Sequence, residues 1–129
     1  MGLSRGLSPS FFTQPEMPGW MHWLSFGDGA LREEWDDRHS HNHIMFGDLS
    51  AWAYEYIAGI VPVEPGFAKV AVRPHFPKGV ESFSASHRTP RGEIRVSWRR
   101  GRDGRPVVDW SLPKGVELAE SPVGAEVAR

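Results

Sequence analysis

The apolar residues of this chain change their period part-way along, and that change limits the folds open to it. Over residues 48–60, Leu49, Trp52, Ala53, Tyr56, Ile57 and Ile60 recur at the spacing of one helical face. The spacing predicts an amphipathic helix, with Gly59 near its end and Pro62 just beyond as the stop. From Val63 the pattern alternates instead. Val70 and Val72, Phe83 and Ala85, then Ile94, Val96 and Trp98, and finally Val108, Trp110 and Leu112 read as one buried face of successive short strands. Turns are expected at Thr89-Pro90-Arg91-Gly92 and across residues 101–105. The reading is α+β: a helical first part over residues 1–62, a small antiparallel β-sandwich over 63–120 and a frayed tail over 121–129. A shorter helix is expected over 18–26, where Met17, Trp20, Met21 and Leu24 give an apolar side behind a first-turn proline.

Composition removes several function classes. The 129 residues suffice for one ordinary domain, not for a large multidomain enzyme. Fifteen Lys and Arg against sixteen Asp and Glu leave a net charge of -1, so no global field draws nucleic acid or an anionic membrane. The basic run Arg99 to Arg105 reads as a solvated hairpin tip rather than a phosphate-binding surface. Absence of cysteine excludes disulfides and thiolate metal sites. No apolar run nears the roughly 20 residues needed to span a bilayer, and the first residues lack a basic region followed by a long apolar core. The compartment stays open.

Chemistry concentrates between residues 27 and 47. Glu33, Glu34, Asp36 and Asp37 surround Trp35. Such a segment is either a solvated acidic loop or a carbohydrate site, because an indole can desolvate a carboxyl and can lie against the C–H face of a sugar. His39, His41 and His43 alternate, which in an extended chain puts three imidazoles on one face. No zinc signature is completed there, and hydrogen bonding is the preferred role over metal.

Several ordered motifs resemble the closing part of bacterial α-L-rhamnosidases. They run from Thr13-Gln14, Pro18-Gly19-Trp20 and Gly29-Ala30 through Glu33-Glu34-Trp35-Asp36 to Ser40-His41-Asn42-His43 and Gly47-Asp48. Ala58-Gly59-Ile60, Pro65-Gly66-Phe67, Val72-Arg73-Pro74 and Thr89 to Ile94 with Trp98 extend the likeness across residues 13–113. The resemblance implies an inverting glycoside hydrolase with an (α/α)6 barrel, of which this chain holds the last helix and loops, followed by the β-sandwich. By motif position it implies Glu33 as the general base, His43 as a hydrogen-bond partner of the rhamnose hydroxyls, and Trp35 as an aromatic wall or support. It implies no cofactor and no metal. It places the general acid upstream of these residues, so the expected partners are a rhamnose-containing glycoside and an upstream barrel segment of the same or another chain. One departure stands out: the family commonly has an aromatic residue immediately before its base, where this chain has Arg32. Contact between that cation and Glu33 would lower the carboxyl's pKa. A non-catalytic carbohydrate-binding or structural β-module is the alternative reading.

Overall fold

The computed structural model describes residues 10–122 and 126–127, and they form two compact units that meet at residues 51 and 52. The first unit holds helix α1 (Ser10–Thr13), helix α2 (Trp20–Leu24), a 3-10 turn (Ile44–Gly47) and the start of helix α3 (Asp48–Trp52). Between α2 and the 3-10 turn the chain is irregular, pinned by a bridge between Leu31 and Asn42. Its buried apolar residue is Trp23. That indole stacks on Trp35 at 4.3 Å between centroids, and the rings of Trp20 and Phe46 meet the pair edge-on or tilted. Gly19 lets the chain enter α2 closely: a Cβ there would lie 2.8 Å from the Gln14 carbonyl oxygen and 2.9 Å from that of Glu16.

The second unit contains two sheets around one core. Strands β1 (Ile60–Pro62), β2 (Lys69–Val72) and β6 (Glu117–Glu120) form the smaller sheet in the order β1-β2-β6. Strands β3 (Ser82–Thr89), β4 (Gly92–Arg100), β5 (Pro106–Ser111) and β7 (Glu126–Val127) form the larger one in that order. Val70 and Val72 from the first sheet meet Ile94, Val96, Trp98 and Val108 from the second, together with Ile57, Ala58 and Ile60. The residues whose alternation predicted strands are therefore those that fill the sandwich. The Thr89 to Gly92 turn joins β3 to β4, and Thr89 Oγ1 both donates to the Gly92 carbonyl at 2.8 Å and accepts from the Arg91 N–H. The 101–105 turn joins β4 to β5, as expected. Arg100, at its base, donates to the carbonyls of Phe76, Pro77 and Val80, and Arg105 pairs with Asp103.

Three details differ from the sequence reading. The expected helix over 48–60 is α-helical only to Trp52, continues as a π-turn over Ala53–Ile57, and gives way to strand at Ile60. The cause lies in the partners of its last carbonyls. The Tyr56 carbonyl accepts from the His75 N–H at 3.0 Å, that of Ile57 from the Trp98 indole at 2.9 Å, and that of Gly59 from the Arg73 N–H at 2.8 Å. Groups from the sheets thus close the helix end, which otherwise leaves carbonyls unmet. Gly59, at φ 72°, turns the chain there, and a Cβ on it would stand 2.1 Å from the Arg73 carbonyl carbon. Second, β2 with β6 and β5 with β7 pair in parallel, while the other strand pairs are antiparallel. β6 follows β5 but crosses to the other sheet, so no tight hairpin dictates its direction. Third, the tail expected to fray over 121–129 lies mostly outside the described residues; of its described residues, Pro122 is buried and Glu126–Val127 pairs with β5.

Candidate active-site loop

The residues singled out in the sequence fall in the first unit, on two chain segments that the Leu31–Asn42 bridge brings side by side. The Glu33 N–H donates to the Ser40 carbonyl at 2.8 Å, and the His43 N–H to the Leu31 carbonyl at 2.8 Å. Glu33 and His43 therefore sit on neighbouring, mutually hydrogen-bonded segments although ten residues separate them. Glu33 is exposed, and His43 is half-buried with its Nδ1 enclosed and without a hydrogen-bond partner. Trp35 has one face against Trp23 and belongs to the aromatic cluster that supports the loop.

The charges of the loop are mostly matched within it. Arg32, only 2% exposed, is the buried ion. Its Nη1 and Nη2 make a bidentate pair with Asp28 at 3.0 and 2.8 Å, its Nε donates to Asp37, and its guanidinium carbon lies 4.3 Å from the centre of the Phe26 ring. The same two carboxylates face His41, with Nε2 3.0 Å from Asp37 and Nδ1 3.9 Å from Asp28. The hydrogen bond from Arg32, then that from the Ala30 N–H, holds the Asp28 carboxyl below its ordinary range, and Asp28 in turn raises the Arg32 pKa. Asp37 adopts φ 68°, an uncommon left-handed conformation that short polar side chains tolerate, and so turns its carboxylate toward Arg32 and His41. Glu34 is 3.0 Å from His39 Nδ1, and Asp36 pairs with Arg38.

Two sequence expectations are refined by this arrangement. Arg32 directs its guanidinium to Asp28 and Asp37 rather than to Glu33. The signal was present, since Asp28 and Asp37 flank Arg32 in a short glycine-led loop, but loop pairing has no fixed spacing from which to read it. Second, the three alternating histidines take separate partners: His39 meets Glu34, His41 meets Asp37, and His43 turns its Nδ1 inward. Among the described residues no three His, Asp or Glu side chains converge to hold a metal ion, and no helix is long and apolar enough to cross a membrane. Two shallow depressions of about 570 and 590 Å³ lie over β3, β4 and β5 in the second unit, sharing Ser84, Ser97 and Asp109.

Comparison with known proteins places these features in a family. Residues 6–57 match the bacterial α-L-rhamnosidase six-hairpin glycosidase domain, and residues 59–120 match the bacterial α-L-rhamnosidase C-terminal domain. An α-L-rhamnosidase from Alteromonas sp. (strain LOR) is 32% identical over 98 residues, which are 67% of this chain and 11% of that protein. The α-L-rhamnosidase structure from Dictyoglumus thermophilum superposes with a TM-score of 0.68 at 29% identity, over 84% of this chain and 13% of that one. The Streptomyces avermitilis α-L-rhamnosidase, solved in complex with L-rhamnose, gives a TM-score of 0.71 at 26% identity, over 85% of this chain and 12% of that one. The chain thus spans about a tenth of the length of the relatives it matches. With both adjoining domains matched in order, it belongs to the bacterial α-L-rhamnosidase family and corresponds to the C-terminal part of those enzymes.

Proposed function

We propose that this chain contributes the base side of an α-L-rhamnosidase active site, in which terminal α-L-rhamnosyl linkages are hydrolysed with inversion. One observation carries the reading: among the described residues Glu33 is the loop carboxylate with no cationic partner. Asp28 and Asp37 are held by Arg32, Asp36 meets Arg38, and Glu34 has the Arg38 guanidinium at 4.0 Å beside its contact with His39. Glu33 accepts only a long contact, 3.4 Å, from the Ser40 N–H. An ionised carboxylate free of a counter-charge and open to solvent is suited to take a proton from an attacking water. Inversion also requires an acid on the far side of the sugar, with the two carboxyl groups about 6.5 to 9.5 Å apart. The other loop acids are committed to cations and lie within five residues of Glu33, so we assign the acid to an upstream barrel segment.

His43 takes the sugar-binding role by its motif position and by its place on the segment hydrogen-bonded to that of Glu33; its Nδ1 is enclosed by the protein, so the contact with a rhamnose hydroxyl falls to Nε2. Trp35 acts chiefly as support, since Trp23 covers one of its faces. The exposed apolar side chains of Met17, Met21, Leu24, Ile44 and Met45 are where the upstream helices would pack.

The test is turnover of an aryl α-L-rhamnoside by the 129-residue chain alone and fused behind the upstream barrel of the Streptomyces avermitilis relative. The chain alone should be inactive and the fusion active, with Glu33→Gln lowering kcat by several orders of magnitude and Glu34→Gln far less. Hydrolysis by the isolated chain, or the reverse order of the two variants, would overturn the reading. Rhamnose binding by the isolated chain together with an inactive fusion would favour a carbohydrate-binding module.

A further inference from the structure

We infer that Arg32 is the positioning residue for Glu33, an inference that rests on the reading of Glu33 as the base. Arg32 and Glu33 follow the bridge residue Leu31, and the two consecutive side chains take opposite environments, one buried and one exposed. Arg32 is 2% exposed and Glu33 is exposed. On the buried side, the guanidinium joins Asp28, five residues before Glu33, to Asp37, four residues after it, and His41 faces the same two carboxylates. Arg32 also lies over Phe26 and donates to the Ala30 carbonyl at 3.4 Å. The backbone of Glu33 itself is held by its N–H, which donates to the Ser40 carbonyl at 2.8 Å. The segment that carries Glu33 is thereby closed at both ends by one side chain.

Only a guanidinium can make this closure. It presents a planar fork to Asp28, a separate Nε–H to Asp37 and a flat face to Phe26, whereas an ammonium is a point charge without that geometry. Lysine would keep the charge and lose the arrangement. Displacing a reacting group by about 1 Å can cost on the order of 100-fold in rate, so the effect should be read in kcat.

In the fusion described above, Arg32→Lys should lower kcat about 10- to 100-fold with KM changed less than about twofold, and Asp37→Asn should act in the same direction. The distinguishing measurement uses Glu33→Gly with added azide. Azide attacks the anomeric carbon as the glycosidic oxygen leaves with the proton of the acid, so no base is needed. Arg32→Lys should leave that azide-supported rate unchanged. In the 129-residue chain alone, Arg32→Lys should speed hydrogen exchange at the Glu33 amide while that of Val96 in β4 stays slow. Unchanged kcat, an equal loss of the azide-supported rate, or unchanged Glu33 exchange would each overturn the inference while leaving Glu33 as the base. A Glu33→Gln enzyme with full activity would remove the base assignment, and this inference with it.

Discussion

The two units of this chain are built by different means. Residues 52–122 bury ten apolar side chains from two sheets and the preceding helical turn, among them Val70, Ala71, Val72, Ile94 and Val108 at 0% exposure. Residues 10–51 bury one, Trp23, beside a buried arginine, and carry six of the seven large apolar side chains left exposed among the described residues. The sheet unit closes on itself through the hydrophobic effect. The loop unit takes its local order from stacked rings and ion pairs and leaves Ile44 83% and Met45 63% exposed. On the proposed reading the chemistry sits in the half that leaves most of its large apolar side chains exposed among the described residues, which is the division expected of a catalytic loop whose walls come from elsewhere.

The comparison breaks most readily at Trp98. Its ring is 2% exposed between the sheets and its indole N–H holds the Ile57 carbonyl. Trp98→Ala should cost about 3–5 kcal/mol and lower the unfolding midpoint of the sheet unit by at least about 10 °C, as followed by circular dichroism. A loss below about 1 kcal/mol would mean that the sandwich is not the stabilising core. Gly59→Ala should follow, at about 2 kcal/mol or more, because it combines left-handed strain with a Cβ pressed against Arg73 and Pro74. Urea titration of that variant reporting wild-type stability would contradict the backbone geometry at the helix end.

The smallest effect concerns the loop unit and acid. The Asp28 carboxyl has a folded pKa depressed below its unfolded value of about 3.9. Its contribution is therefore fully present above that unfolded value and is lost as pH falls through the folded one. Nuclear magnetic resonance at descending pH should show the Glu33 and His43 amides losing dispersion below the ordinary carboxylate range while those of Val70 and Val96 persist. Asp28→Asn should give the acid-like loop spectrum already at neutral pH. Simultaneous loss in both units would deny them independent stability.

The strands were legible because alternation records which side chains face a core, and Ile94, Val96, Trp98 and Val108 do so. The end of the helix was not, because Ile60 continues the helical period yet lies in β1, and the carbonyl partners that decide the matter come from residues 73, 75 and 98. Strand β6 was obscured for the same reason: its parallel partner β2 precedes it by almost fifty residues. In the loop, motif order singled out the two segments that carry Glu33 and His43, which the structure joins by hydrogen bonds, whereas the commitment of Asp28 and Asp37 to Arg32 was not legible, since irregular segments impose no repeat that sequence can display.

The closing of the helix end also bears on how such proteins can recombine. The family domains adjoin near residue 58, yet the carbonyls of Tyr56, Ile57 and Gly59 are completed by donors from His75, Trp98 and Arg73. A breakpoint at the domain boundary would pair one parent's acceptors with another parent's donors. Crossovers ahead of Trp52 keep these partners together, so among shuffled homologues viable junctions should cluster there and be depleted between Tyr56 and Trp98.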